Sequence, residues 1–327
     1  MKLTPLAAAF AFLASTANAE TPVLTVMTYD SFVSEWGPGP AVEAAFEANC
    51  ACDLQFVAAG DGAALLARAQ LEGAASDADV VLGLDNNLIA AATATGLFAP
   101  HGTLPDNTLP VPFADPFFLP YDWGWFAFVH NADLQNPPTS FEELAASDLK
   151  IVIQDPRSST PGLGLVMWVK AAYGDRAGEI WAALADNIVT VTPGWSEAYG
   201  LFLAGEADMV LSYSTSPAYH IGAEGDVTKV AALFSEGHGM QIEVAGKLSS
   251  SDQPALADEF LAFMSGPTFQ VLIPETNWMY PAVLPDSGLP VSFETLIQPG
   301  KSLLIAPTDV PGMREAAVQE WQDALSR

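Results

Sequence analysis

VLTVMT (23–28), PAVEAAFEAN (40–49), LQFVA (54–58), GAALLARAQLEG (62–73) and ADVVL (78–82) follow one another with short loops between them. The first, third and fifth are apolar runs of strand length. The second and fourth carry apolar residues at helical spacing, with Leu65, Leu66 and Ala69 on one face of the latter. This β-α-β-α-β order predicts an α/β layer with a largely parallel sheet. Ligands bind such sheets at the loops after the carboxyl ends of the strands. Here those loops are the aromatic stretch through Trp36 and the run Gly83-Leu84-Asp85-Asn86-Asn87.

Downstream, a Pro-rich stretch from Pro100 to Pro120 breaks the pattern. Trp123–His130 (WGWFAFVH) then reads as an apolar strand long enough to leave one lobe and enter another. A second α/β unit follows. Its helices are expected at Ser140–Ser147, Pro161–Tyr173, around Gly178–Ala185 and at Ser196–Gly205; its strands at Lys150–Gln154, Ile188–Thr192 and Met209–Ser212. Met240–Gly246 is strand-like, and helices around Ala255–Met264 and Gly312–Leu325 need a core to join. If these return to the first lobe, the chain crosses twice and forms a clamshell. The first lobe then comprises 20–122 and 240–327, the second 123–239.

Upstream, Lys2, the short apolar core Leu6–Leu13 and the small-x-small pattern Ala17-Asn18-Ala19 predict an export signal cleaved after Ala19. That apolar core is too short to span a bilayer. The site is therefore expected to work in the periplasm.

The 327 residues carry 11 Lys+Arg against 39 Asp+Glu, a formal net charge of −28. Half the residues are hydrophobic, so disorder is excluded and a large core is available. The charge argues against a nucleic-acid partner, whose affinity rests on basic side chains, and against an anionic membrane surface. A cationic or neutral small molecule fits better. The two cysteines, Cys50 and Cys52, are expected to form a local structural disulfide in an oxidising compartment. The four histidines (His101, His130, His220, His238) lack metal-ligand spacing, so no metal and no cofactor is expected.

Catalytic motifs are missing. There is no H-E-x-x-H, G-x-S-x-G or Walker sequence, and Gly162-Leu163-Gly164 lacks the third glycine of a dinucleotide fingerprint. Aromatic residues in loops at strand ends say more: Tyr29, Trp36, Trp195, Tyr213, Tyr219, Trp278 and Tyr280. Any one alone is by default a core or edge aromatic. Together they recur where the scaffold presents ligand loops, and their faces suit a heteroaromatic ring or a cation. Trp181 and Trp321 instead fall on helix faces, where they should serve stability. Asp61, between Gly60 and Gly62, is either a helix N-cap or an acceptor for a ligand amino group. Ser158-Ser159-Thr160-Pro161-Gly162 opens a helix whose free N–H groups could receive an anionic oxygen.

At these loops the sequence resembles the thiamine-binding proteins of ABC importers. The resemblance is carried by Thr28–Phe32, Trp36–Pro40, Asp79–Asn87 (DVVLGLDNN), Gln154–Gly164 (QDPRSSTPGLG), Gly194–Leu203 (GWSEAYGLFL), Leu211–His220 (LSYSTSPAYH) and Asn277–Pro281 (NWMYP). It runs along essentially the whole chain after the export signal. It implies the two-lobed periplasmic binding protein fold, type II-like, with two crossover segments at a hinge. It further implies a non-enzymatic receptor, a monomer, that delivers thiamine or its phosphates to a membrane permease. By position it puts the pocket on Tyr29, Trp36, Asp61, Ser159, Trp195, Tyr213, Tyr219 and Trp278, with Ser159 and its neighbouring amides at the hydroxyethyl or phosphate end. Arg157 is the only Arg beside that loop, so a phosphate would find few basic partners. The alternatives are a receptor for another organic cation such as a polyamine, or a thiamine-degrading enzyme on the same fold, which needs a nucleophilic Cys.

Overall fold

The computed structural model describes residues 21–102 and 107–326; the expected export signal lies outside them. In chain order the first half forms β1 (Val23–Thr28), α1 (Gly39–Glu47), β2 (Asp53–Ala58), α2 (Gly62–Glu72), β3 (Val80–Asp85), α3 (Ile89–Ala94) and β4 (Phe98–Ala99). The long strand β5 (Phe118–Asn131) leads into α4 (Phe141–Ala145), β6 (Ile151–Gln154), α5 (Thr160–Tyr173), α6 (Ala177–Leu184), β7 (Ile188–Thr192), α7 (Trp195–Leu203), β8 (Met209–Tyr213), α8 (Pro217–Tyr219) and β9 (Lys229–Ala231). A second long strand, β10 (His238–Leu248), is followed by α9 (Pro254–Met264), α10 (Pro267–Gln270), α11 (Ile273–Thr276), β11 (Tyr280–Pro281), β12 (Ser302–Leu303) and α12 (Val310–Leu325).

The main strand order is β2-β1-β3-β10-β5-β8-β6-β7. The outer strands of each half are parallel, as expected: β1 with β2 and β3, and β6 with β7 and β8. The centre is not. β10 runs antiparallel to both β3 and β5, and β5 antiparallel to β8, because one long strand carries the chain out and the other carries it back. Residues 118–125 of β5 pair with β10, while 126–130 pair with β8. Both faces of this sheet are covered, so β3, β6 and β10 bury every residue and their sequences do not alternate.

In the first half, Leu24, Val26, Val80 and Leu82 point to one face, under Val42 and Phe46 of α1 and Phe260 and Leu261 of α9. Met27, Val81 and Leu84 point to the other, under Leu65 and Leu66 of α2. The second half is arranged likewise, with Val152 and Val210 under Ala198 and Phe202 of α7.

Two features differ from the sequence reading. β5 begins at Phe118 rather than Trp123, inside the Pro-rich stretch. The pairing shifts between Glu243↔Asp122 and Val244↔Pro120, so Tyr121 is the extra residue of a bulge. A bulge is where a strand tolerates proline. Second, α12 packs mainly on the second half and only touches α3 of the first. It lies against α5 and α6, burying Val310, Ala317, Trp321 and Ala324, with an ion pair from Lys170 to Glu320 at 2.6 Å. The apolar stripe of α12 is thus spent mainly on the second half, and the chain has crossed a third time before Val291–Phe293, which already packs on α8. Cys50 and Cys52 form the expected disulfide, at the end of α1.

Candidate functional site

A cavity of about 270 Å³ opens between the two halves, at the carboxyl ends of the parallel strands. Among the described residues no Lys or Arg lines it; Asp61 and Glu243 do. Seven aromatic side chains line its walls, and several of them are held by a local device.

Tyr29 directly follows β1. Its ring lies over Gly83, where a Cβ would sit 2.2 Å from the ring, and Gly83 has φ +108°. Only glycine meets both demands there. The Tyr29 hydroxyl lies 3.2 Å from Glu243 Oε2 and accepts from Asn277 Nδ2 at 3.0 Å.

Asp61 occupies the N-cap position of α2, yet its side chain makes no capping bond. It turns across the cleft instead. Oδ2 accepts from Ser159 Oγ at 2.8 Å and from the Trp195 backbone N–H at 3.0 Å, both in the second half. Burial pushes its carboxyl up to about 6, against the pull of those two donors. Alongside, Gly62 N–H donates to Thr160 Oγ1 at 2.9 Å and Ala64 N–H to Ser158 O at 3.0 Å. The halves are therefore closed on one another in this structure.

Trp195 opens α7. Its Nε1 donates to Ser212 Oγ at 2.8 Å, and its ring stacks on Tyr199 at 5.0 Å and 27°. Trp36, from the first half, stands 6.0 Å from it and is 47% exposed, the rim of the site. Tyr219 meets Trp278 edge to face at 5.4 Å. Trp278 sits just beyond the end of α11 with φ +56°, a left-handed position that helix ends normally give to glycine. Its indole N–H has no partner among the described residues. Such strain points to the position of this ring in the cavity wall.

The floor is acidic. Glu243 Oε2 accepts from Tyr121 Oη at 2.7 Å and Oε1 from Gln241 Nε2 at 2.7 Å. The bulge turns Tyr121 inward to make that bond. Asp122, fully buried, faces Glu243 across the strand pair and accepts from Asn277 Nδ2 at 2.6 Å. Burial and the proximity of the two acids raise the Asp122 carboxyl well above its ordinary range; burial first, then Asp85, moves Glu243 to about 7.

Of the residues singled out from sequence, Tyr29, Trp36, Asp61, Trp195, Tyr213, Tyr219 and Trp278 all line this cavity. Ser159 does not. It is fully buried behind Thr160 and Pro161, and its hydroxyl is committed to Asp61. Arg157 is turned away, held by Asp155 and lying over the Trp321 ring. Glu243, Asn277, Met279 and Tyr199 were not foreseen as lining residues. Tyr199 sits one turn after Trp195 on the same helix face, a spacing that could have found it. Glu243 is hidden inside an apolar strand. Among the described residues one group could offer ligand atoms to a metal ion: His220, Glu224 and Asp226. It lies behind the cavity wall, where His220 Nε2 is 2.9 Å from the Tyr199 hydroxyl.

The family profile described as bacterial extracellular solute-binding protein matches residues 37–271. The chain is similar to the thiamine-binding periplasmic protein of Salmonella typhimurium, 54% identical over 94% of each chain. It superposes on a solved periplasmic thiamin binding protein with a TM-score of 0.91, at 53% identity, covering 94% of this chain and 97% of the other. Iron-bound HitA from Pseudomonas aeruginosa shares the fold at a TM-score of 0.74 and 20% identity, over 93% of this chain and 99% of that one.

Proposed function

We infer that this chain, which belongs to the bacterial extracellular solute-binding proteins and among them to the thiamine-binding periplasmic group, is a periplasmic receptor that binds thiamine and passes it to the permease of an ABC importer. The observation that carries this is the closed cavity with seven aromatic lining residues and, among the described residues, no basic one, in a chain of such identity to thiamine-binding relatives. A thiazolium is a flat cation and an aminopyrimidine a flat ring. Tyr219, Trp278 and Trp195 offer faces and edges to both, at about 0.5–2 kcal/mol for each cation–π contact.

On this reading the fold is a periplasmic binding protein whose first lobe comprises 20–122 and most of 240–327. The second lobe comprises 123–239, joined by α12. The lobes hinge on β5 and β10, the receptor acts as a monomer, and Asp61 with Ser159 forms the latch between the lobes. The chain is exported and cleaved after Ala19. Thiamine is preferred to its phosphates, because Arg157 is paired elsewhere and Ser159 is committed to Asp61. A thiamine-degrading reaction lacks a thiol to run it, since Cys50 and Cys52 are joined to each other.

Calorimetric titration with thiamine, its monophosphate, its diphosphate and spermidine tests the reading. Thiamine is expected to bind tightest and to be displaced least by spermidine. Turnover of thiamine in the presence of an added nucleophile, or tighter binding of spermidine, overturns it.

A further inference from the structure

We propose that Glu243 selects a positively charged ligand in this cavity and gives up a proton when one binds. The proposal rests on the receptor reading above. Glu243 lies on β10 where that strand crosses between the halves, and its carboxyl lines the cavity floor. Every element packed around it presents an acid or a neutral polar group. Tyr29 comes from the end of β1, Asp85 from β3, Tyr121 and Asp122 from β5, Tyr213 from β8, Gln241 from its own strand, and Asn277 from the loop after α11. Among the described residues no Lys or Arg takes part. Lys247, further along β10, is held by Asp258, and Arg314 acts on Asp85 rather than on Glu243.

A carboxylate buried without a cation is costly, and the ordinary remedies are a proton or a counter-charge. Both are prepared here. The Asp122 and Glu243 carboxyls face each other across the paired strands, both buried, and burial first, then the nearby Glu243 charge, raises the Asp122 carboxyl well above its ordinary range. Glu243 is left to titrate near neutrality, at about 7. Two further buried oxygens on the same strands, Asp122 Oδ1 and Gln241 Oε1, have no hydrogen-bond partner among the described residues. The floor therefore has acceptors to spare and charge to be met.

A cation entering the cavity favours the ionised form of Glu243. The carboxylic acid and the free cation become a carboxylate–cation pair, and the proton leaves to the solvent. A neutral ring of the same shape gives no such exchange. By linkage, cation affinity rises with pH as Glu243 ionises in the empty site, and levels off above that range.

The test is calorimetry of the full chain with thiamine at pH 7 in phosphate and in Tris, whose ionisation enthalpies differ. About half a proton should be released per thiamine at pH 7, falling toward zero at pH 8. Glu243→Gln should abolish the release and weaken thiamine at least tenfold at pH 8, with a smaller loss at pH 6. Thiochrome, a neutral fused-ring relative of thiamine, should bind parent and variant within about threefold. Thiamine binding without proton release at pH 7 overturns the proposal, as does a Glu243→Gln variant that binds as tightly as the parent at pH 8. If the variant does not fold, the proton count on the unaltered chain decides alone. Failure of thiamine to bind at all overturns the receptor reading and this proposal with it.

Discussion

The backbone N–H of Gly62 donates to Thr160 Oγ1 at 2.9 Å, across 98 residues of chain and across the cleft. A Cβ at position 62 would sit 2.5 Å from that hydroxyl oxygen and 2.9 Å from Gly83 O. Closure thus depends on the absence of one methyl group. Gly62→Ala meets Gly83 O within its own half in either state, and Thr160 Oγ1 only when the cleft is closed, so the closed form carries an additional overpacking of about 1–3 kcal/mol. Thiamine affinity should fall roughly five- to 150-fold, and the decrease in radius of gyration on adding thiamine, read by small-angle scattering, should shrink. An unchanged affinity in the folded variant refutes the latch.

Trp195 and Tyr219 face the cavity, whereas Trp181 and Trp321 are buried in helix packing. Ala at either of the first two should cost roughly 1–3 kcal/mol of thiamine binding. Ala at Trp181 or Trp321 should instead lower stability by about 3–5 kcal/mol, leaving the affinity of the folded fraction near that of the parent. Equal binding by Trp195→Ala and Tyr219→Ala proteins would mean that these rings are ordinary core.

Trp278 holds a left-handed backbone that costs a side-chain-bearing residue about 1–2 kcal/mol. At most positions Gly is less stable than Ala. Here Trp278→Gly should melt above Trp278→Ala, while both lose thiamine affinity alike. Thermal unfolding of the two variants side by side shows the order.

Burial in the closed form raises Asp61 to about 6. Opening the cleft exposes it, and its carboxyl returns to the usual aspartate range. A pKa raised by closure means that closing takes up a proton. This contribution is fully present at low pH and is lost as pH rises through about 6. The ratio of parent to Asp61→Asn thiamine affinity should therefore grow between pH 6 and pH 4. A flat ratio would show that the cleft does not bury this carboxyl on closing.

The Cys50–Cys52 ring is short and lies at the end of α1, off the cavity. Loop-closure entropy for so few residues is roughly 1–2 kcal/mol. Cys50→Ala with Cys52→Ala should lower the melting temperature by a few degrees and leave thiamine affinity unchanged, as titration of the double variant would show.

Local signals carried most of the fold and the aromatic wall into the sequence. Val23–Thr28 and Ile188–Thr192 coincide with their strands, and Trp195 and Tyr219 are legible from their place in the segments that follow β7 and β8. What stayed hidden was set by distant partners. Nothing near Tyr121 says that it is bulged, because the bulge exists only against Glu243 and Val244. Nothing in α12 says which half its apolar stripe will meet. Asp61 looked like a cap, and its position is a cap's, but the bonds that turn its side chain away come from residues roughly a hundred positions later.

The place of β10 in the sheet has a consequence for biogenesis. It fills the gap between β3 and β5, yet it is made more than a hundred residues after them. Until residue 248 has been synthesised, β3 and residues 118–125 of β5 each keep an apolar edge without a partner, and the two halves of the sheet cannot be joined. Contacts of such long sequence separation make folding slow. A chain bound for export must stay unfolded until it has crossed the membrane, and this topology withholds the central strand for most of that journey.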